Sequence, residues 1–176
     1  RQATGFSFYA LLGLLKEIFP GIKIINLQAT FNTEENRHPG QKLAGRLAKK
    51  TIMIYTTNNN SHLAYNWKDR LNETGKALAF ANVIPEMCHN EIVSFETKPQ
   101  NIICLFFNDT SDHAENKKRF NIVSQLLKDR GIESINIDLL DNNLFEKIFQ
   151  SINLADWTAF YLATENNIDP ADIKII

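Results

Sequence analysis

The 176-residue chain carries 44% hydrophobic and 22% charged residues, the proportions of an ordinary folded domain with a core of its own. Its formal net charge of −1 offers no basic footprint for nucleic acid or an anionic membrane surface. The longest apolar run, Phe8 to Leu15, falls well short of the roughly 18 residues that a spanning helix needs.

Residues 5–19 read as a helix that is apolar nearly all round, one that needs cover on more than one side. The run does not read as a signal peptide: only Arg1 supplies a charge before it, and Lys16, Glu17 and Pro20 follow in place of a small-residue cleavage site. The chain opens at Arg1 with no methionine before it, and is expected to be part of something longer. Pro20-Gly21 ends the helix. Ile22 to Leu27 reads as a short strand or an extended connection, and Thr30 to Gly40 carries turn signals. Gln41 to Lys50 reads as a second helix, with Leu43, Ala44 and Leu47 on one side. Residues 1–50 are therefore expected to form an N-terminal helical and linking segment packed on a single domain, 51–176.

From Thr51 strands and helices alternate. Thr51–Tyr55 is a continuous β-prone run of the kind buried parallel strands show. A polar turn, Thr56–Ser61, leads into a helix with Leu63, Ala64, Trp67 and Leu71 on its apolar stripe and a break expected near Glu73, because Gly75 weakens it. Ala77–Ala81 is small and apolar, without a strand assigned. Pro85 turns Ile84 out of helical geometry and can open a short helix at Glu86. Ile102–Phe107 reads as the next strand and His113–Arg130 as a helix ended by Gly131. Ser134–Leu139 reads as a strand nearer a sheet edge, and 142–163 as a long helix stopped by Asn166-Asn167. The predicted fold class is α/β, a three-layer αβα sandwich with a mostly parallel sheet. Ligands on such sheets gather outside the C-terminal strand ends, here the turns Thr56–Ser61 and Asn108–Asp112.

Chemistry concentrates in the stretch Lys68–Ile92. A carboxylate such as Glu73 can shuttle a proton between adjacent carbons if it is partly desolvated, with Phe80 and Trp67 as apolar cover and Arg70 and Lys76 holding the charge. The same spacing equally describes a helical salt-bridge ladder on a solvated face, by itself the commoner arrangement. His89 is either a second proton-transfer group or a hydrogen-bonded structural histidine. Cys88-His89 lacks the three or four convergent ligands zinc needs, and no nucleophile elbow supports a Cys–His hydrolase. Cys88 and Cys104 have neither C-x-x-C spacing nor a dense framework, and read as reduced thiols of a cytoplasmic protein. Thr56, Thr57 and Ser61 offer hydroxyls to a phosphate, or simply form a capped turn.

Asn72, Glu73 and Lys76, followed by Pro85, Glu86, His89, Asn90, Glu91 and Ile92, form N-E-x-x-K and P-E-x-x-H-N-E-I. Together with Tyr161-Leu162-Ala163 and Ile168-Asp169-Pro170, this pattern resembles the C-terminal sugar-isomerase (SIS) domain of the bifunctional phosphoglucose/phosphomannose isomerases. The resemblance implies interconversion of hexose 6-phosphates through an enediol. It places the base at Glu73, the ring-opening histidine at His89 and an enediol-steadying arginine at Arg1; Lys76 of the motif, with the hydroxyls of Thr56, Thr57 and Ser61, is the substrate-binding set this chain itself offers. It further implies a homodimer in which the histidine reaches the neighbouring subunit's site, and neither a metal nor an organic cofactor. Departures stand beside these positions: Thr74-Gly75 for Asn-Ala, Met87-Cys88 for Leu-Asn, and Ser94 for glycine. The family's N-terminal SIS domain, whose Ser/Thr loop holds the sugar phosphate, and a late lysine have no counterpart here. The 176 residues alone are therefore expected to have little or no activity. The alternative is a regulatory SIS module that senses a phosphosugar without converting it; an unrelated flavodoxin-like interaction domain is a weaker third.

Overall fold

The computed structural model describes residues 4–21, 32–140 and 143–172. Arg1, the segment Ile22–Leu27 and the apolar tail Ile173–Ile176 lie outside the described residues. Helix α1 spans Thr4–Ile18, α2 Arg37–Leu47, strand β1 Thr51–Thr57 and helix α3 Ser61–Glu73. Strand β2 (Ala79–Ile84) is followed by a single 3-10 turn, Glu86–Cys88, and by the short helix α4, Glu91–Ser94. Strand β3 (Ile102–Asn108), helix α5 (Ala114–Asp129), strand β4 (Glu133–Asp138) and helix α6 (Leu144–Glu165) complete the chain.

All pairings are parallel, in the order β2-β1-β3-β4. The chain leaves the centre in both directions, β1 through α3 to β2 and β3 through α5 to β4. Right-handed crossovers then put α3 and α5 on opposite faces. One face of the sheet (Ile52, Ile54, Ile103, Leu105, Phe107) packs against Leu63, Trp67 and Leu71 of α3 and against α2 and α6. The other (Tyr55, Cys104, Phe106) packs against Phe120, Val123 and Leu127 of α5 and against Met87 and Phe95. The expected three-layer α/β architecture is the one observed.

Three details differ from the sequence reading. A strand, β2, runs where only a small apolar stretch was expected. Its sequence A-F-A-N-V-I contains alanine and asparagine, which favour strands weakly, and it forms a sheet edge among the described residues. Helix α2 begins before Gln41, taking in Pro39-Gly40. Proline is tolerated in a first helical turn, where its missing N–H costs nothing, and Gly40 is where α2 crosses α6. A Cβ at Gly40 would lie 2.6 Å from the Cβ of Trp157. Finally, α1 buries none of its residues. Its Phe8 ring packs on Phe145 and Phe149 of α6, at centroid distances of 5.7 and 5.4 Å, while Phe6, Leu11, Leu14 and Ile18 are exposed. Among the described residues its contacts come from α6 and, at Thr4, from the Arg70 guanidinium of α3 at 3.2 Å.

Among the described residues no helix is long and apolar enough to cross a membrane. Cys88 and Cys104 are both free, and burial pushes the Cys104 thiol up to about 12.

Candidate active site

Glu73 is the last residue of α3. Buried Trp67 and Leu71 hold that helix to the sheet, and the Trp67 indole donates to Ser151 Oγ at 2.9 Å. The preceding residue, Asn72, fixes the helix end. Its Oδ1 accepts from the Ala79 amide at 2.8 Å and its Nδ2 donates to the Ala79 carbonyl at 3.3 Å. The Glu73 side chain is exposed, and the surroundings differ from those expected. Trp67 is wholly enclosed in the core, and Phe80 is 48% exposed on β2. Arg70 faces α6, where its Nε donates to Asp156 at 2.5 Å and its Nη1 to Asn66 at 2.6 Å. Burial pushes the Asp156 carboxyl up, against the pull of the Arg70 charge. Lys76 donates to the Glu73 carbonyl at 2.6 Å and to the Asp172 carbonyl, so it clasps the α3 end to the C-terminal segment.

His89 stands on the other side of the sheet, in the loop after β2. The Ile84–Pro85 peptide is cis, and the 3-10 turn that follows closes with the His89 amide donating to the Glu86 carbonyl at 2.9 Å. Met87 is buried in the core beneath this turn, while His89 itself is exposed. Asn90 caps α4, its Oδ1 accepting from the Glu91 amide at 2.7 Å and its Nδ2 donating to Glu86 Oε1 at 2.8 Å. Glu91 turns inward. The Tyr55 hydroxyl donates to its Oε2 at 2.9 Å, and Asn82 Nδ2 donates to its Oε1.

The two candidate proton-transfer groups are therefore far apart. Glu73 sits beside the first residue of β2 and His89 beyond its last, and the six-residue strand rises about 3.3 Å per residue. They also belong to opposite faces, since α3 packs in one core and the Met87 turn in the other. One chain does not bring them together.

At the C-terminal ends of β1 and β3, where chain direction diverges and ligands usually bind, a buried polar network is found. Asp109 Oδ2 accepts from Lys147 Nζ at 2.7 Å and from Asn60 Nδ2 at 2.8 Å; its Oδ1 accepts from the Ser111 hydroxyl at 2.7 Å. Thr57 Oγ1 donates to Asp112 Oδ1 at 2.6 Å. Burial alone would push Asp109 up, but Lys147, Ser111 and Asn60 together hold its carboxyl well below the usual carboxylate range. Burial pushes Asp112 up, and the neighbouring Asp109 charge adds to this while the Thr57 hydroxyl opposes it. Thr56 is wholly buried, and Ser61 Oγ donates to the Asn58 carbonyl at 3.0 Å. A phosphate here would meet two carboxylates; Thr57 donates across the fold to Asp112 and caps no helix, while Ser61 bonds within its own turn. Asn108–Asp112 was legible as a turn, but nothing in the sequence linked it to Lys147 of α6. Beside it opens a cavity of about 350 Å³ lined by Asn108, Asp109, Asp112, Lys117 and Asp138. No cluster of three or more His, Cys, Asp or Glu side chains suited to a metal ion occurs among the described residues.

The model of the family described as bacterial phospho-glucose isomerase C-terminal SIS domain matches residues 36–176. The bifunctional phosphoglucose/phosphomannose isomerase of Aquifex aeolicus (strain VF5) is 28% identical over 179 residues, taking in 100% of this chain and 56% of its own length. Its counterpart from Caldicellulosiruptor bescii is 32% identical over 196 residues, covering 100% of this chain and 57% of its own length. The chain thus spans little more than half the length of these relatives. Among solved structures, a glucose-6-phosphate isomerase like protein from Thermus thermophilus superposes with a TM-score of 0.63 at 18% identity, over 78% of this chain and 47% of that one. Glucosamine-6-phosphate deaminase from Thermotoga maritima superposes with a TM-score of 0.57 at 10% identity, over 78% and 43%. At such identities the structural likenesses speak for the fold, which is that of the sugar-isomerase domains. With the family model running from Asn36, just ahead of α2, to the last residue, the chain belongs to the bacterial phospho-glucose isomerase C-terminal SIS domains.

Proposed function

We propose that the chain acts with a preceding SIS domain as an isomerase of hexose 6-phosphates, moving a proton between C1 and C2 of glucose or mannose 6-phosphate to give fructose 6-phosphate. Glu73 is the base that carries that proton through the enediol. His89 opens the sugar ring, and does so in the active site of a second subunit. Arg1 steadies the enediol charge, Lys76 keeps the end of α3 in place beside the substrate, and the other SIS domain supplies the main phosphate contacts.

The separation of Glu73 and His89 along β2, on opposite faces of the sheet, is the observation that favours this reading. Two groups exposed at opposite ends of an edge strand suit a site completed across a subunit boundary. The edge strand that follows Glu73 also starts apolar: Leu78 and Phe80 are 60% and 48% exposed, and an exposed apolar sheet edge calls for cover by another chain or domain. Such cover would desolvate Glu73, as a carboxylate base requires.

The test uses the full-length protein. Glu73→Gln is expected to abolish both turnover and exchange of the substrate's C2 proton with solvent, leaving the circular dichroism spectrum unchanged. An active Glu73→Gln enzyme overturns the base assignment. Binding of hexose phosphates by the wild type without any C2 exchange points to a sensor.

A further inference from the structure

His89 is mounted at two points. On one side Met87 is buried in the core; on the other, Glu91 receives two hydrogen bonds from the sheet. Both donors are rigidly placed. Tyr55 lies in the central strand β1 with no exposed surface, and Asn82, its register partner on β2, is locked by accepting the Val83 amide at 2.7 Å. The Tyr55 ring further stacks on Phe106 at 5.7 Å. Two donors converge on two oxygens, which a carboxylate meets with both; a side-chain amide meets them only by turning the Tyr55 hydroxyl into an acceptor of its N–H₂, at the loss of the O–H···O bond. The residue between these anchors, His89, is left exposed with little freedom in its backbone.

We propose that Glu91 is a positioning residue: its carboxylate, clamped by Tyr55 and Asn82, sets the pose from which His89 acts. This inference rests on the isomerase reading for its catalytic consequence, though the clamp itself does not. Burial pushes the Tyr55 hydroxyl far up, so it remains a donor throughout the working pH range.

The experiment uses the full-length protein. Glu91→Gln is expected to lower kcat by about 10- to 100-fold, at or below the low end of the roughly 10²–10⁴-fold that a well-placed proton-transfer group contributes, since His89 is displaced and not removed, with KM changed less than about threefold. It is also expected to displace the His89 ring resonances in the NMR spectrum. Adding Asn82→Asp to Glu91→Gln restores complementarity, since the new carboxylate at position 82 accepts from the glutamine amide while Tyr55 still donates to its oxygen. The double variant should recover most of the lost kcat and the wild-type His89 resonances. A fall in thermal midpoint with kcat and His89 resonances unchanged would make Glu91 merely structural and overturn the proposal, as would a double variant no better than the single one. If the wild type proves inactive, the isomerase reading fails by itself. The His89 resonances in the three proteins then decide the clamp: displacement reversed by Asn82→Asp sustains it, and no displacement ends it.

Discussion

Asn72 and Ala79 are joined by both ends of one side-chain amide, so the last turn of α3 and the first residue of β2 move as a unit. Glu73 takes its place from this junction. Asn72→Ala removes both bonds and leaves backbone groups of an edge strand to water. The expected cost is about 1–2 kcal/mol, read as a shift in the urea midpoint. In the full-length protein turnover should fall as well, because the backbone carrying Glu73 loosens. Unchanged stability would mean that the junction is held by core packing alone.

The α2–α6 crossing depends on an absent side chain. At Gly40 a methyl group would meet Trp157 Cβ at 2.6 Å and the Thr158 backbone nitrogen at 3.0 Å. Gly40→Ala is expected to destabilise by about 1–3 kcal/mol, despite alanine's better helix propensity. Thermal unfolding checks the sign: a stabilised variant would show that the two helices can part cheaply.

The two buried aspartates at the strand ends should respond to pH in opposite senses. Asp109 has its folded-state value depressed by Lys147, Ser111 and Asn60. Its contribution is therefore present above the ordinary aspartate range and lost as pH falls through the folded value. Asp112 has its folded value raised by burial, so its contribution is full at low pH and lost as pH rises through that value. At neutral pH Asp112 is a charge held at a cost, its Oδ2 without a hydrogen-bond partner among the described residues. Asp112→Asn is expected to raise Tm at neutral pH by about 2–4 °C, a gain that vanishes in acid. Asp109→Asn should lower Tm at neutral pH, by stranding the Lys147 ammonium, and flatten the acid limb. Melting curves across roughly pH 3–8 distinguish the two; a shared sign would refute the assignment.

Local chemistry was enough for much of the fold. The apolar runs at 51–55 and 102–107, the alternation at 134–139 and the stripes on α3, α5 and α6 reflect side-chain burial that depends on periodicity alone, and each lies where expected. Asn166-Asn167 ends α6, with Asn167 at φ 55°. Strand β2 escaped because its first residues, with alanine alternating and Asn82 in the middle, carry little strand propensity, and the strand is held by its neighbours, β1 and the Asn72 amide. Arg70 shows the same limit within the candidate site: helical spacing offered Glu73, while the fold supplied Asp156, 86 positions away.

The sequence by itself determined the layered α/β class and the family pattern, and offered Glu73 and His89 as candidates, because these rest on residue type and spacing. Only the tertiary structure decided that Glu73 and His89 stand on opposite faces at opposite ends of β2. The same holds for the burial of Thr56 and Thr57, for Asp109 reaching Lys147, and for Glu91 facing inward to Tyr55 and Asn82. The physical reason is that a hydrogen-bond partner is chosen by where strands and helices come to lie. That choice depends on distances across the fold, which no local pattern records.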